Sequence, residues 1–82
     1  MVSSKKKKVD YAALNSPFMS IPRMDARAAR ALLDLKFSEV YELRGRSPET
    51  LFEDLKKIRL SPPDSDLVKF FAIAVDFAES NV

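Results

Sequence analysis

The sequence predicts an all-α fold, a compact bundle of about five short helices in which the order helix, tight connection, helix occurs twice around a connector. Three observations carry this expectation. From Asp10 onward the apolar residues recur at helical spacing, and no four-residue stretch alternates well enough to be a strand. Helix start and stop signals punctuate the chain at Asp25, Gly45, Ser47-Pro48 and Pro62-Pro63. Finally, 82 residues suffice for one small domain and not for two.

Residues 10–15 form a short helix presenting Tyr11 and Leu14, and Ser16-Pro17 restarts the chain, with Phe18, Met19 and Ile21 apolar up to Pro22. Asp25 is the N-cap of a helix running from residue 26 to about 36, whose apolar face is Ala28, Ala29, Leu32 and Leu35, with Leu33 beside it. Arg23, Arg27, Arg30 and Asp34 fall at i, i+4, i+7 and i+11 and so share the opposite, solvated face. Ser38 caps a short connector over residues 39–44 that buries Val40 and Leu43 and closes at Gly45, the single glycine, where a left-handed residue ends a helix most cheaply.

Ser47 followed by Pro48 is a cap with proline at the first helical position. The helix it starts buries Leu51, Phe52, Leu55 and Ile58, and Glu53 supports Lys57 from the solvent side. Pro62 and Pro63 cannot continue a helix, so the last one begins at Asp64 or Ser65 and runs to about residue 80. Leu67, Val68, Phe70, Phe71, Ile73, Ala74, Val75, Phe77 and Ala78 cover most of its circumference, leaving Lys69, Ala72, Asp76 and Glu79 as a narrow polar stripe. Such a helix is buried on several sides within the chain, or it carries a homodimer or other protein contact along one edge.

Charge divides the chain in two. The formal net charge is only +2, yet Lys5, Lys6, Lys7 and Lys8 supply four positive charges, so the remainder holds 10 basic and 12 acidic residues. Residues 1–9 read as a disordered basic tail and 10–82 as a single, mildly acidic domain. No apolar run follows the lysines, which argues against a secretory signal. The longest apolar run, Phe70 to Val75, is far short of the ~18 residues of a membrane span, and the expected location is cytoplasmic. With no cysteine and no histidine, the chain has no disulfide, no thiolate metal site and no Ser–His or Cys–His catalytic pair. One glycine cannot build a phosphate loop, and Asp64 and Asp66 look like helix-start residues rather than an acid–base pair. The expectation is therefore a non-enzymatic protein with no cofactor, no metal and no small-molecule substrate.

The segment Ser20-Ile21-Pro22-Arg23-Met24-Asp25-Ala26-Arg27-Ala28-Ala29-Arg30-Ala31-Leu32-Leu33 resembles a helix-hairpin-helix motif, with Ile21, Pro22, Met24, Ala29 and Leu32 matching its pattern. The ordered set Leu43-Arg44-Gly45, Ser47-Pro48-Glu49-Thr50-Leu51-Phe52 and Asp76-Phe77-Ala78-Glu79 extends this, and residues 18–79 resemble the small bacterial pathogenicity-locus family, whose members are often labelled mitomycin-resistance proteins. The resemblance implies a SAM-like arrangement of two helix-hairpin-helix units joined by a connector helix, and a hairpin, Ile21 to Asp25, that approaches a DNA phosphate. The family pattern has glycines where this chain has Arg23, Asp25 and Lys36. A side chain at each obstructs that approach. Asp25 either faces the phosphate as a like charge, at a cost of ~4 kcal/mol at 4 Å in an intermediate dielectric, or is consumed as the helix cap.

Two functional expectations follow. In the first, Arg23, Arg27 and Arg30, with Arg44, Arg46 and the lysines at 5–8, hold duplex DNA by its backbone without reading sequence. The plainer alternative for that stripe is a solvated face offset by Asp34, Glu39 and Glu42. In the second, the chain is a protein-interaction or self-association domain that keeps the fold without the DNA-binding hairpin.

Overall fold

The computed structural model describes residues 9–80, and the basic run at 5–8 lies outside the described residues. Among the described residues the chain is all-helical and has no strand. Four α-helices form: α1 (Tyr11–Leu14), α2 (Ala26–Asp34), α3 (Pro48–Ile58) and α4 (Leu67–Ser80). Two single 3₁₀ turns, Pro17–Ser20 and Val40–Leu43, stand where the sequence suggests further helix. The connector is thus a 3₁₀ turn rather than a fifth helix. Ser38 does not cap it: Glu39 takes the N-cap position, and the Glu42 carboxylate accepts the backbone N–H of Ser38 (2.6 Å) and of Glu39 (2.9 Å). Those two donors hold the Glu42 carboxyl below its usual range.

The predicted caps form at Asp25 and Ser47, and Asp10 supplies a further one. Asp10 accepts from Ala13 N at the start of α1, Asp25 from Arg27 N at the start of α2, and Ser47 Oγ from Thr50 N ahead of Pro48 in α3. Asp64 accepts from Asp66 N, and three i→i+3 bonds from Leu67, Val68 and Lys69 lead the chain into α4. The last helix therefore begins at Leu67 rather than at Asp64 or Ser65.

Helix α4 is the central element, packed against α2, α3 and the Val40–Leu43 turn. Phe71 and Ala74 have no exposed surface, and Leu67, Val75 and Ala78 are buried beside them. Its polar stripe, Lys69, Ala72, Asp76 and Glu79, faces solvent as the periodicity predicts. Phe70, Ile73 and Phe77 of the same helix are half-buried and pack against this core. Phe18, Leu32, Leu43 and Leu55 complete the core, and alanines 28, 29 and 31 let α2 lie close to its neighbours.

Two side chains depart from their expected places. Ile58 is 54% exposed, because α3 ends there and the chain turns away without laying a further element over it. Glu53 pairs with Lys56 (3.1 Å) rather than Lys57, which reaches Asp54 instead (3.9 Å).

Helix α2 ends in a Schellman motif. Phe37 N donates to Leu32 O (3.1 Å) and Lys36 N to Leu33 O (2.9 Å), with Lys36 left-handed at φ 75°. An L side chain there costs roughly 1 kcal/mol relative to glycine. Lys36→Gly is accordingly expected to raise Tm by about 4–8 °C, as read by circular dichroism.

Candidate nucleic-acid interface

The hairpin between the Pro17–Ser20 turn and α2 is built from both ends. Phe18 is fully buried and Ile21 nearly so, which fixes the entry, and Ile21 N donates to Phe18 O (3.1 Å). Met24 N then donates to Ile21 O (3.2 Å) across Pro22 and Arg23. Proline in the second place and φ 67° at Arg23 in the third are the signature of a type II turn, where glycine is the usual third residue. Arg23 adopts that conformation while keeping its side chain. It lies outside α2, so it does not continue the helical register of Arg27 and Arg30 that the spacing suggests.

The α2 arginines are already engaged. Arg27 Nε and Nη2 lie 3.1 and 3.2 Å from the two Asp25 carboxylate oxygens, and Nη1 lies 3.3 Å from Asp64. Arg30 grips Asp10 with two bonds, of 2.6 and 2.7 Å, and reaches Asp34 at 3.2 Å. Asp34 also accepts from Arg59 (3.0 Å). Asp25 therefore does two things at the hairpin. Its carboxylate caps α2, and it occupies the Arg27 guanidinium that the stripe would have offered to a phosphate.

The guanidinium of Arg30 and the backbone N–H of Ala13 lower the Asp10 pKa from 3.8 to about 2, and Arg27 lowers that of Asp25. A carboxyl depressed in the folded state binds fewer protons there than when unfolded. Its contribution to stability is complete above pH ~4 and is lost as the pH falls toward about 2. Thermal melting followed from pH 6 downward should hold nearly level and then fall below about pH 4, and Asp10→Asn should flatten part of that fall.

The cations that carry no ion pair among the described residues lie elsewhere: Arg23, Lys36, Arg44 and Arg46, together with Lys69 over the Phe70 ring on the α4 stripe. The first four share one feature. Arg23 and Lys36 are the non-glycine residues with positive φ, and Arg44 and Arg46 flank the third left-handed residue, Gly45 (φ 78°). Two of the three turns contact the C-terminal part of α4, and the third is linked to the Gly45 turn through a stacked ring. Gly45 N donates to Glu79 Oε2 (2.9 Å), seating that turn on the last turn of α4. Arg46 stacks over Phe37 (5.3 Å), the residue after Lys36. Arg23 lines a groove of about 320 Å³ whose far wall is Ile73, Asp76, Phe77 and Ser80 of the same helix end.

The carboxylates nearby are partly spent, Glu42 on Ser38 and Glu39 N–H and Glu79 on Gly45 N–H, leaving Asp76 as the acid facing Arg23 across the groove. Lys36 is the member that the helical spacing places inside α2. Its signal was the glycine that the family pattern places there.

Among the described residues no cluster of three or more carboxylates could hold a metal, and no helix is long and apolar enough to cross a membrane. No family model, no curated protein and no solved structure matches the chain.

Proposed function

We propose that this protein is a non-enzymatic helix-hairpin-helix-like module that holds the phosphate backbone of duplex DNA without reading its sequence. Its two units would be the α1–α2 segment and the α3–α4 pair, with the Val40–Leu43 turn as connector. The observation that carries the proposal is the sorting of the cations. Arg27, Arg30 and Arg59 are neutralised by carboxylates, while four cations on or beside left-handed turns carry no ion pair among the described residues. The cost of a left-handed backbone is accepted twice with a long cationic side chain in place of glycine, the kind of local strain that gathers at binding sites.

Arg23, Lys36, Arg44 and Arg46 are thus the proposed backbone contacts on the folded body, and Lys5 to Lys8 add a sequence-independent attraction from outside it. Arg27 and Arg30 support the fold around the site instead. Because the domain is net acidic, attraction must be local to these four residues rather than spread over the surface.

Titration of a short duplex with the full chain, and with the chain lacking residues 1–8, tests this. Four phosphate contacts give a slope of about −3.6 in log K against log salt, so the chain lacking residues 1–8 should lose roughly 100-fold in affinity between 50 and 200 mM salt. Binding that vanishes with residues 1–8 would refute a site on the folded body.

A further inference from the structure

Tyr41 is an exposed aromatic that neither the core nor the phosphate contacts account for. It stands on the Val40–Leu43 turn with 62% of its surface open to water. The turn beneath it is held along its whole length. The Glu42 carboxylate accepts from Ser38 N and Glu39 N before it, Leu43 is fully buried within it, and Gly45 N donates to Glu79 after it. A ring displayed on such a turn meets a ligand with little backbone freedom left to lose.

The residues that follow Tyr41 are cationic. Arg44 N donates to Tyr41 O (3.2 Å), which sets Arg44, with no ion pair among the described residues, one tight turn from the tyrosine. Arg46 lies over the Phe37 ring at 5.3 Å and is itself exposed, and Lys36 precedes that ring. The chain thus presents two flat groups, a phenol and a guanidinium backed by a ring, with Arg44 between them in sequence. Charge and stacking together select the occupant. An apolar peptide leaves the cations unanswered, and an intact duplex keeps its bases stacked on one another. A strand with unpaired bases brings phosphates for the arginines and a ring for each flat group. Glu39, exposed on the other side of Tyr41, sets the direction, since a strand leaves over Arg44 and Arg46 and away from that carboxylate.

Resting on the nucleic-acid reading of these cations, we propose that the site favours DNA with unpaired bases at the end or break of a duplex, Tyr41 stacking on one base and Arg46, backed by Phe37, on the next. Tyr41 then adds affinity only where a base is free, by about 10-fold for its stack. The arginines hold phosphates whether or not the bases are paired.

Anisotropy titrations of the full chain test this with a blunt duplex, the same duplex bearing a short overhang of deoxyadenosines, and one whose overhang is abasic and so keeps the phosphates without the rings. The adenine overhang should bind about 10-fold more tightly than the abasic one. Tyr41→Ala should erase that preference and Tyr41→Phe should keep it, with affinity for the blunt duplex unchanged in both. In Tyr11→Phe, which leaves Tyr41 as the sole tyrosine, the adenine overhang should quench the tyrosine emission and the abasic one should not. Equal affinity for the two overhangs, or a preference that survives Tyr41→Ala, overturns the proposal, while binding of the blunt duplex keeps the duplex reading standing. A blunt duplex left unbound, with the adenine preference intact, overturns the duplex reading alone.

Discussion

Replacing Arg23, Lys36, Arg44 and Arg46 together by glutamine is expected to remove about four units from the salt slope of DNA binding and to reduce affinity at 50 mM salt by about 100-fold or more. The four side chains are exposed and form no ion pairs among the described residues, so their loss leaves no buried charge unpaired. Arg46 alone gives up contacts, its stacking on the Phe37 ring and a 3.4 Å hydrogen bond from Nε to Glu42 O. The contrast lies on α2. Arg27→Gln and Arg30→Gln unpair Asp25, Asp64 and Asp10 and leave Asp34 to Arg59 alone, and these should lower thermal stability while leaving the salt slope nearly unchanged. Fluorescence anisotropy with a labelled duplex at several salt concentrations reads both sets. If the α2 pair flattened the slope and the four-fold variant did not, the interface would lie on the helix face that the sequence spacing suggests. The cations at the turns would then only offset the negative end of the α4 dipole.

Phe71→Ala should bring the domain to the edge of unfolding. Phe71 has no exposed surface and lies one turn into α4, the helix that α2, α3 and the Val40–Leu43 turn all pack against. A buried phenylalanine truncated to alanine costs ~3–5 kcal/mol. Small domains have ~5–15 kcal/mol in all, and an 82-residue chain without disulfides belongs near the lower end. With a urea m-value near 1 kcal/mol/M, the midpoint should fall by about 3–5 M. Ala72→Ser, one residue on but on the exposed stripe, should move it by less than ~0.5 M. Equal effects at the two positions would mean that α4 is not the central element.

The long-range outline was legible in the chain because the relevant signals are local. Asp25, Ser47-Pro48, Gly45 and Pro62-Pro63 each act through their own backbone, and each marks a boundary where the structure has one. The apolar arc of α4 was equally plain, since one face after another is apolar over fourteen residues. What the spacing could not convey was side-chain partnership. Arg30 sits one helical turn from Asp34, which is visible in sequence, but its bidentate partner Asp10 is twenty residues away and is delivered by α1 packing on α2. A stripe of arginines looks open until such partners are placed. The converse holds at Lys36, which fits a helical pattern by composition yet lies two residues past the end of α2 with φ 75°. Only the comparison with a glycine-bearing pattern hinted at that. Ile58 and Leu60 were likewise invisible as surface features, because nothing in the periodicity says that no further element covers the end of α3.

Asp10, Arg30, Asp34 and Arg59 form an unbroken chain of charge that touches the start of α1, the middle and end of α2, and the end of α3. Each pair is only partly buried and worth little by itself. A four-residue helix such as α1, however, has no stability of its own in water. It persists by being clasped to α2, and α2 is clasped in turn to the residue where α3 ends. The segments should therefore leave the native state together instead of fraying one at a time, making the N-terminal turn part of the same cooperative opening unit as α2.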